Sequence, residues 1–132
     1  MDHRRINRYV KMQLYDTIAG LYRDEKHGVI RGFELCMTLK NIAGILNEFA
    51  NQQPITEQDQ NLIYFLKSFF IDIQIIIDDV VDLEISHKDL VVFLKDIRYV
   101  CKDFIKETIC CDDMCVEYVI GQKCFCAEHD EK

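Results

Sequence analysis

The run EQDQNLIYFLKSFFIDIQIIIDDVVDL, Glu57 to Leu83, decides how the rest of the chain is read. Within it Leu62, Leu66, Phe69, Ile73, Ile76, Val80 and Leu83 recur at alternating steps of four and three, and Ile63, Phe70 and Ile77 widen the same face. That spacing lines one side of an α-helix. The break Gln52-Gln53-Pro54-Ile55 lies just before it, and Thr56 with Asp59 three residues later has the form of a capping box, so the helix starts there. Tyr64, Ile71 and Ile75 project from the opposite side, where a surface helix carries polar groups. Two expectations follow. Either the other helices enclose this one, or Tyr64, Ile71 and Ile75 form a partner-binding face, for self-association or for another protein.

Working outward, the same periodicity appears on both sides. Before the break, Leu35, Leu39, Ile42, Leu46 and Phe49 step by four and three between about Gly32 and Asn51, with Cys36, Ala43 and Ala50 one position further round. Further upstream, Ile6, Val10, Leu14, Thr17/Ile18 and Leu21/Tyr22 mark a first helix over residues 3–25, ended near His27-Gly28. Downstream, Ser86 with Asp89 repeats the cap pattern, and Leu90, Leu94, Ile97, Cys101, Phe104 and Thr108 continue the alternation. A short fifth segment runs from Asp112 to Ile120, and Gly121 closes it. The expected fold is all-α: an antiparallel bundle of four main helices plus a short fifth C-terminal helix, residues 1–121, and a Cys-rich tail, residues 122–132. Heptad-like spacing equally permits packing between chains.

Composition supports this class. One Pro and five Gly among 132 residues are too few for the frequent turns of an all-β domain, and 49% hydrophobic content exceeds that of disordered chains. Ile, Phe, Lys, Tyr and Asn far outnumber Gly, Ala, Arg and Pro, a balance that follows from AT-rich codons and suits, among other sources, a large DNA virus. The formal net charge is −7, and the negative excess falls entirely after residue 53. Such a chain is a poor binder of nucleic acid, whose affinity comes mainly from phosphate neutralisation. The first residues hold no apolar run of the secretory kind, so an intracellular protein of the cytoplasm or nucleus, virion-associated if viral, is expected. Leu62 to Val81 is apolar but carries Lys67, Asp72, Asp78 and Asp79, and four charges argue against an integral membrane protein.

Seven cysteines raise the question of metal. Zinc is held by about four converging thiolates or imidazoles. Cys111 and Cys115, with Cys124, Cys126 and His129 across the following connection, could supply them, which makes a zinc-stabilised interaction or regulatory module one alternative. The competing reading has Cys110, Cys111 and Cys115 packed as small apolar residues with Cys124 and Cys126 in a loose tail, and a third has disulfides, including bridges between chains. Cys36 and Cys101 fall on the apolar stripes and are expected in the core.

Three other patterns carry chemistry in other proteins. Asp78-Asp79-Val80-Val81-Asp82 has the form that isoprenoid synthases use for magnesium, but the chain holds no second acidic motif, and a solvated acidic face is the expectation. Asp24-x-x-His27 and Glu84-x-x-His87 have the spacing of di-iron ligands, yet both sit at predicted helix ends rather than mid-helix. Arg4, Arg5, Arg8 and Lys11 form a basic patch at a helix start, where cations oppose the helix dipole. The first reading is an ordinary charged first turn; the other is an acidic partner, such as the acidic end of the Glu57–Leu83 helix in the same or a neighbouring chain. No Gly-rich phosphate loop, zinc-protease helix or serine nucleophile turn is present, and no small-molecule substrate is expected.

A helical bundle around one unusually apolar helix resembles the Bcl-2-like proteins in architecture, and that resemblance implies a helical regulator acting through protein contacts. The Asn-Trp-Gly-Arg signature of that family is absent, because the chain has no Trp. The leading expectation is a non-enzymatic assembly or scaffold protein that works through protein–protein contacts.

Overall fold

In a computed structural model, which describes residues 2–30 and 32–109, every regular element is helical. These are α1 (His3–Tyr9), a π-helical turn (Val10–Leu14), α2 (Tyr15–Lys26), α3 (Gly32–Ala50), α4 (Glu57–Val81), α5 (His87–Phe104) and a second π-helical turn (Ile105–Ile109). The residues at the α1, α2 and α5 junctions all hold right-handed helical dihedrals, so α1 to α2 is one rod and α5 runs on into the second π turn. Four rods result, as the periodicity predicts. The fifth segment, the tail and the boundary after Gly121 lie outside the described residues.

Contacts at the helix ends give the direction of each rod. His3 meets Asp59, placing the starts of α1 and α4 at one pole, while Tyr9 packs edge-on to Phe49 near the end of α3. Phe65, early in α4, stacks on Phe104, late in α5. The bundle therefore runs up, down, up, down. Its most extensive pairings are α3 with α4 and α2 with α5, and the two π turns also pack together.

One contiguous core fills the centre. Leu14, Ile18, Leu35, Leu39, Leu46, Leu66, Phe69, Ile73 and Leu94 are fully buried within it. The stripes predicted for α3, α4 and α5 face the core in register, with Phe70, Val80 and Phe104 partly buried at its margin and two corrections at helix ends. Leu83, expected on the core stripe of α4, lies past its last turn and is 90% exposed. Thr108 is exposed as well, and Ile105 takes the buried place at the end of α5's stripe.

The first rod departs from a plain α-helix for a reason visible in its spacing. Ile6, Val10, Leu14 and Ile18 are all buried, at steps of four, four and four. In an α-helix each step of four advances 40° beyond a full turn, so three in succession would carry Ile18 well away from Ile6. A π turn holds more residues and absorbs that drift.

The caps close as their residues dictate. Thr56 Oγ1 accepts from the Asp59 N–H at 3.0 Å, and Asp59 Oδ2 accepts from the Thr56 N–H at 3.2 Å, completing the box. Ser86 Oγ accepts from the Asp89 N–H at 3.1 Å, and Asp2 Oδ1 from the Arg5 N–H at 3.2 Å. At the end of α2 the Val29 N–H donates to the Asp24 carbonyl and the Gly28 N–H to the Glu25 carbonyl, with Gly28 at φ +70°. The end of α4 repeats this pattern through Glu84 to Asp79 and Leu83 to Val80, but the left-handed residue is Leu83, at φ +57°.

Candidate interaction surface

Tyr64, Ile71 and Ile75 project from α4 directly away from the core and are 75%, 57% and 52% exposed. No other described helix covers them. Of the two expectations for this face, enclosure by α1–α2, α3 and α5 does not hold among the described residues, because the bundle packs α4 through the side that carries Phe65, Phe69 and Ile73.

Beside Tyr64 the surface dips into a cleft of about 420 Å³ between α4 and α5. Its wall is the Phe65–Phe104 pair, stacked with ring centroids 3.9 Å apart and planes 10° from parallel. Tyr64 and Val100 stand at its lip, and Asp103 of α5 and Glu107 of the second π turn line it. On the other flank of α4, a smaller hollow of about 190 Å³ places Ile71, Phe70 and Lys67 against the end of α3.

The basic patch is only partly as expected. Arg4, Arg5 and Arg8 are exposed, and the Arg5 guanidinium sits 5.7 Å from the Phe49 ring centre. Lys11 does not join them. It is 4% exposed, because the π turn brings Val10, Lys11 and Leu14 inward together. The acidic end of α4 is also far from the arginines: Asp78 lies 19 residues beyond Asp59, about 28 Å at the α-helical rise, so the two cannot pair within one chain.

Cys36 and Cys101 are both buried free thiols. Burial pushes the Cys101 thiol up to about 12, so it stays protonated and unreactive at neutral pH, as its place on the core stripe implies. Tyr9 is also raised to about 12, mainly by burial and secondarily by Cys101. Cys111, Cys115, Cys124, Cys126 and His129, the candidate zinc ligands, lie outside the described residues. Among the described residues no group of three or more His, Cys, Asp or Glu side chains is placed to hold a metal ion. Asp78 accepts a 3.4 Å hydrogen bond from Gln74, and Asp82 caps the end of α4.

Two histidine–carboxylate contacts carry no signature in the sequence. Glu25 Oε1 lies 3.6 Å from His87 Nδ1, joining the end of α2 to the start of α5, and His3 Nδ1 lies 3.6 Å from Asp59 Oδ1 at the other pole. The only available signal was that both histidines lie near helix ends, and that does not name a partner. No described helix is long and apolar enough to cross a membrane.

Comparison with known proteins returns no matching family model, no matching curated relative and no matching solved structure.

Proposed function

We propose that this protein is a non-enzymatic interaction module whose working surface is the outward face of α4. The observation that carries the reading is that Tyr64, Ile71 and Ile75 are each more than half exposed on the side opposite the buried core of the described residues. At roughly 25 cal/mol per Å², covering these three side chains would contribute a few kcal/mol of association. Their replacement by polar groups would cost the fold little, so folding does not account for them.

The test is the double variant Ile71→Glu with Ile75→Glu, compared with the wild type by circular dichroism and light scattering, and by recovery of bound protein. Full helicity, with loss of self-association or of a bound partner, is the expected result. Loss of helicity would return these residues to the core. Unchanged helicity with unchanged mass and partner recovery would remove the face from function.

A further inference from the structure

We infer that the seam between α4 and α5 is a docking groove for a basic amphipathic helix of a partner protein. The inference rests on the reading of the α4 face as an interaction surface, and it assigns the partner's chemistry.

The Phe65–Phe104 stack fixes which sides of the two helices meet. Successive α-helical residues turn by 100°, so a residue seven positions on returns to almost the same side. On α4, Asp72 and Asp79 lie seven and fourteen residues after Phe65 and therefore border the seam. On α5, Val100, Phe93 and Asp96 fall within a quarter-turn of Phe104, toward solvent, and Glu107 of the following π turn lines the cleft. Asp103 lines the cleft itself. The antiparallel register that pairs Phe65 with Phe104 puts Asp72 level with residue 97, beside Asp96. Five carboxylates thus rim one seam, some of them facing each other across it.

The positive charges of α5 are kept away from that rim. Lys88, Lys95, Arg98 and Lys102 all lie a third of a turn or more from Phe104. Contact geometry agrees: the Arg98 guanidinium sits 5.5 Å from the Tyr22 ring centre on α2, and Lys67 of α4 lines the hollow toward α3. Like charges along a seam oppose the packing of the two helices that carry them. Alternating the signs would have served the fold better. An acidic rim around the apolar Phe65–Phe104 wall, with Tyr64 and Val100 at its lip, is complementary to a helix with an apolar stripe flanked by Lys and Arg. From Asn61 to Asp79 the seam runs about 27 Å, room for roughly 18 residues of such a helix.

The experiment uses the full chain and three labelled 18-residue peptides, read by fluorescence anisotropy. One has a Leu stripe flanked by Lys and Arg, one has the same stripe flanked by Glu, and one has the basic composition scrambled so that no stripe forms. The expected result is that the basic amphipathic peptide binds about tenfold tighter than either control, and less tightly as salt is raised. Asp103→Lys with Glu107→Lys, both on the surface, should lose that preference and favour the acidic peptide. Glu34→Lys with Glu48→Lys makes the same charge change on α3 and should retain it. Equal binding of basic and scrambled peptides, or equal weakening by both double variants, overturns the groove. So does absence of binding, the result expected if a second copy or residues 110–132 occupy the seam. The broader reading fails separately, and only if Ile71→Glu with Ile75→Glu alters neither association nor partner recovery.

Discussion

Asp59 and Ile55 are joined by a 2.9 Å hydrogen bond in which the Ile55 N–H donates to Oδ2 of the carboxylate. The same oxygen accepts the Thr56 N–H, so one buried side chain fixes the chain on its way from Pro54 into α4. Oδ1 has no hydrogen-bond partner among the described residues and faces His3. The Ile55 bond is the largest influence holding the Asp59 carboxyl below the usual carboxylate range; burial opposes it, and Thr56 and His3 add to it. A carboxyl whose pKa is lower folded than unfolded contributes stability above its unfolded value, near 3.8, and loses it as pH falls through the folded one. Urea unfolding from pH 5 to pH 2 should show Asp59→Asn less stable than wild type at the upper end, with the gap closing in acid. A gap that stays constant would dismiss this account of Asp59.

Gly28 and Leu83 occupy the same left-handed position after their helices, and only one of them is suited to it. For a residue with a side chain this conformation costs roughly 1–2 kcal/mol, while glycine gives back part of that as chain entropy in the unfolded state. Leu83→Gly should therefore stabilise the protein by up to about 1 kcal/mol, since Leu83 packs against little, and Gly28→Ala should destabilise it by about 1 kcal/mol. Denaturant midpoints at unchanged slope would measure both. A Leu83→Gly variant less stable than wild type would mean that the exposed side chain has a contact beyond the described residues.

Gln13 is the exposed residue inside the first π turn. Its deletion brings Ile6, Val10, Leu14, Ile18 and Leu21 to steps of four, three, four and three, the spacing of an unbroken α-helix. The shortened chain should remain helical and cooperative, at a cost near the roughly 1 kcal/mol of an ordinary substitution. Deleting Asp72, equally exposed, rotates half of the α4 stripe by about 100° and should abolish cooperative unfolding. If both deletions behave alike by thermal melting, the π turn is not an absorber of spacing.

These cases mark where the sequence was legible. The α4 face could be read because Leu62, Leu66, Phe69, Ile73 and Ile76 alternate cleanly over several turns, and the Thr56 box because both of its hydrogen bonds are local. Leu83 continued the alternation in the sequence, but the chain had already left the helix at Asp82, and periodicity carries no information about where a cap turns. Lys11 falls with the arginines only on a plain α-helix; the three steps of four call for a π turn, which turns it inward. The acidic seam needed the relative rotation of α4 and α5, which depends on Phe65 finding Phe104, a contact between residues far apart in sequence.

The pairing of rods has a consequence in time. α3 and α4 are joined through residues 51–56 and bury their stripes against each other, whereas α2 and α5, the other extensive pair, come from opposite ends of the described chain. Closing a short loop loses less entropy than closing a long one, so the α3–α4 hairpin should assemble first and offer its apolar side as the template on which the outer rods close. Pulsed hydrogen exchange during refolding would then protect amides of α3 and α4 ahead of those in α2 and α5; simultaneous protection would indicate a single concerted nucleus. On this route the Glu25–His87 contact, which needs both outer rods in place, is among the last to form and the first to open.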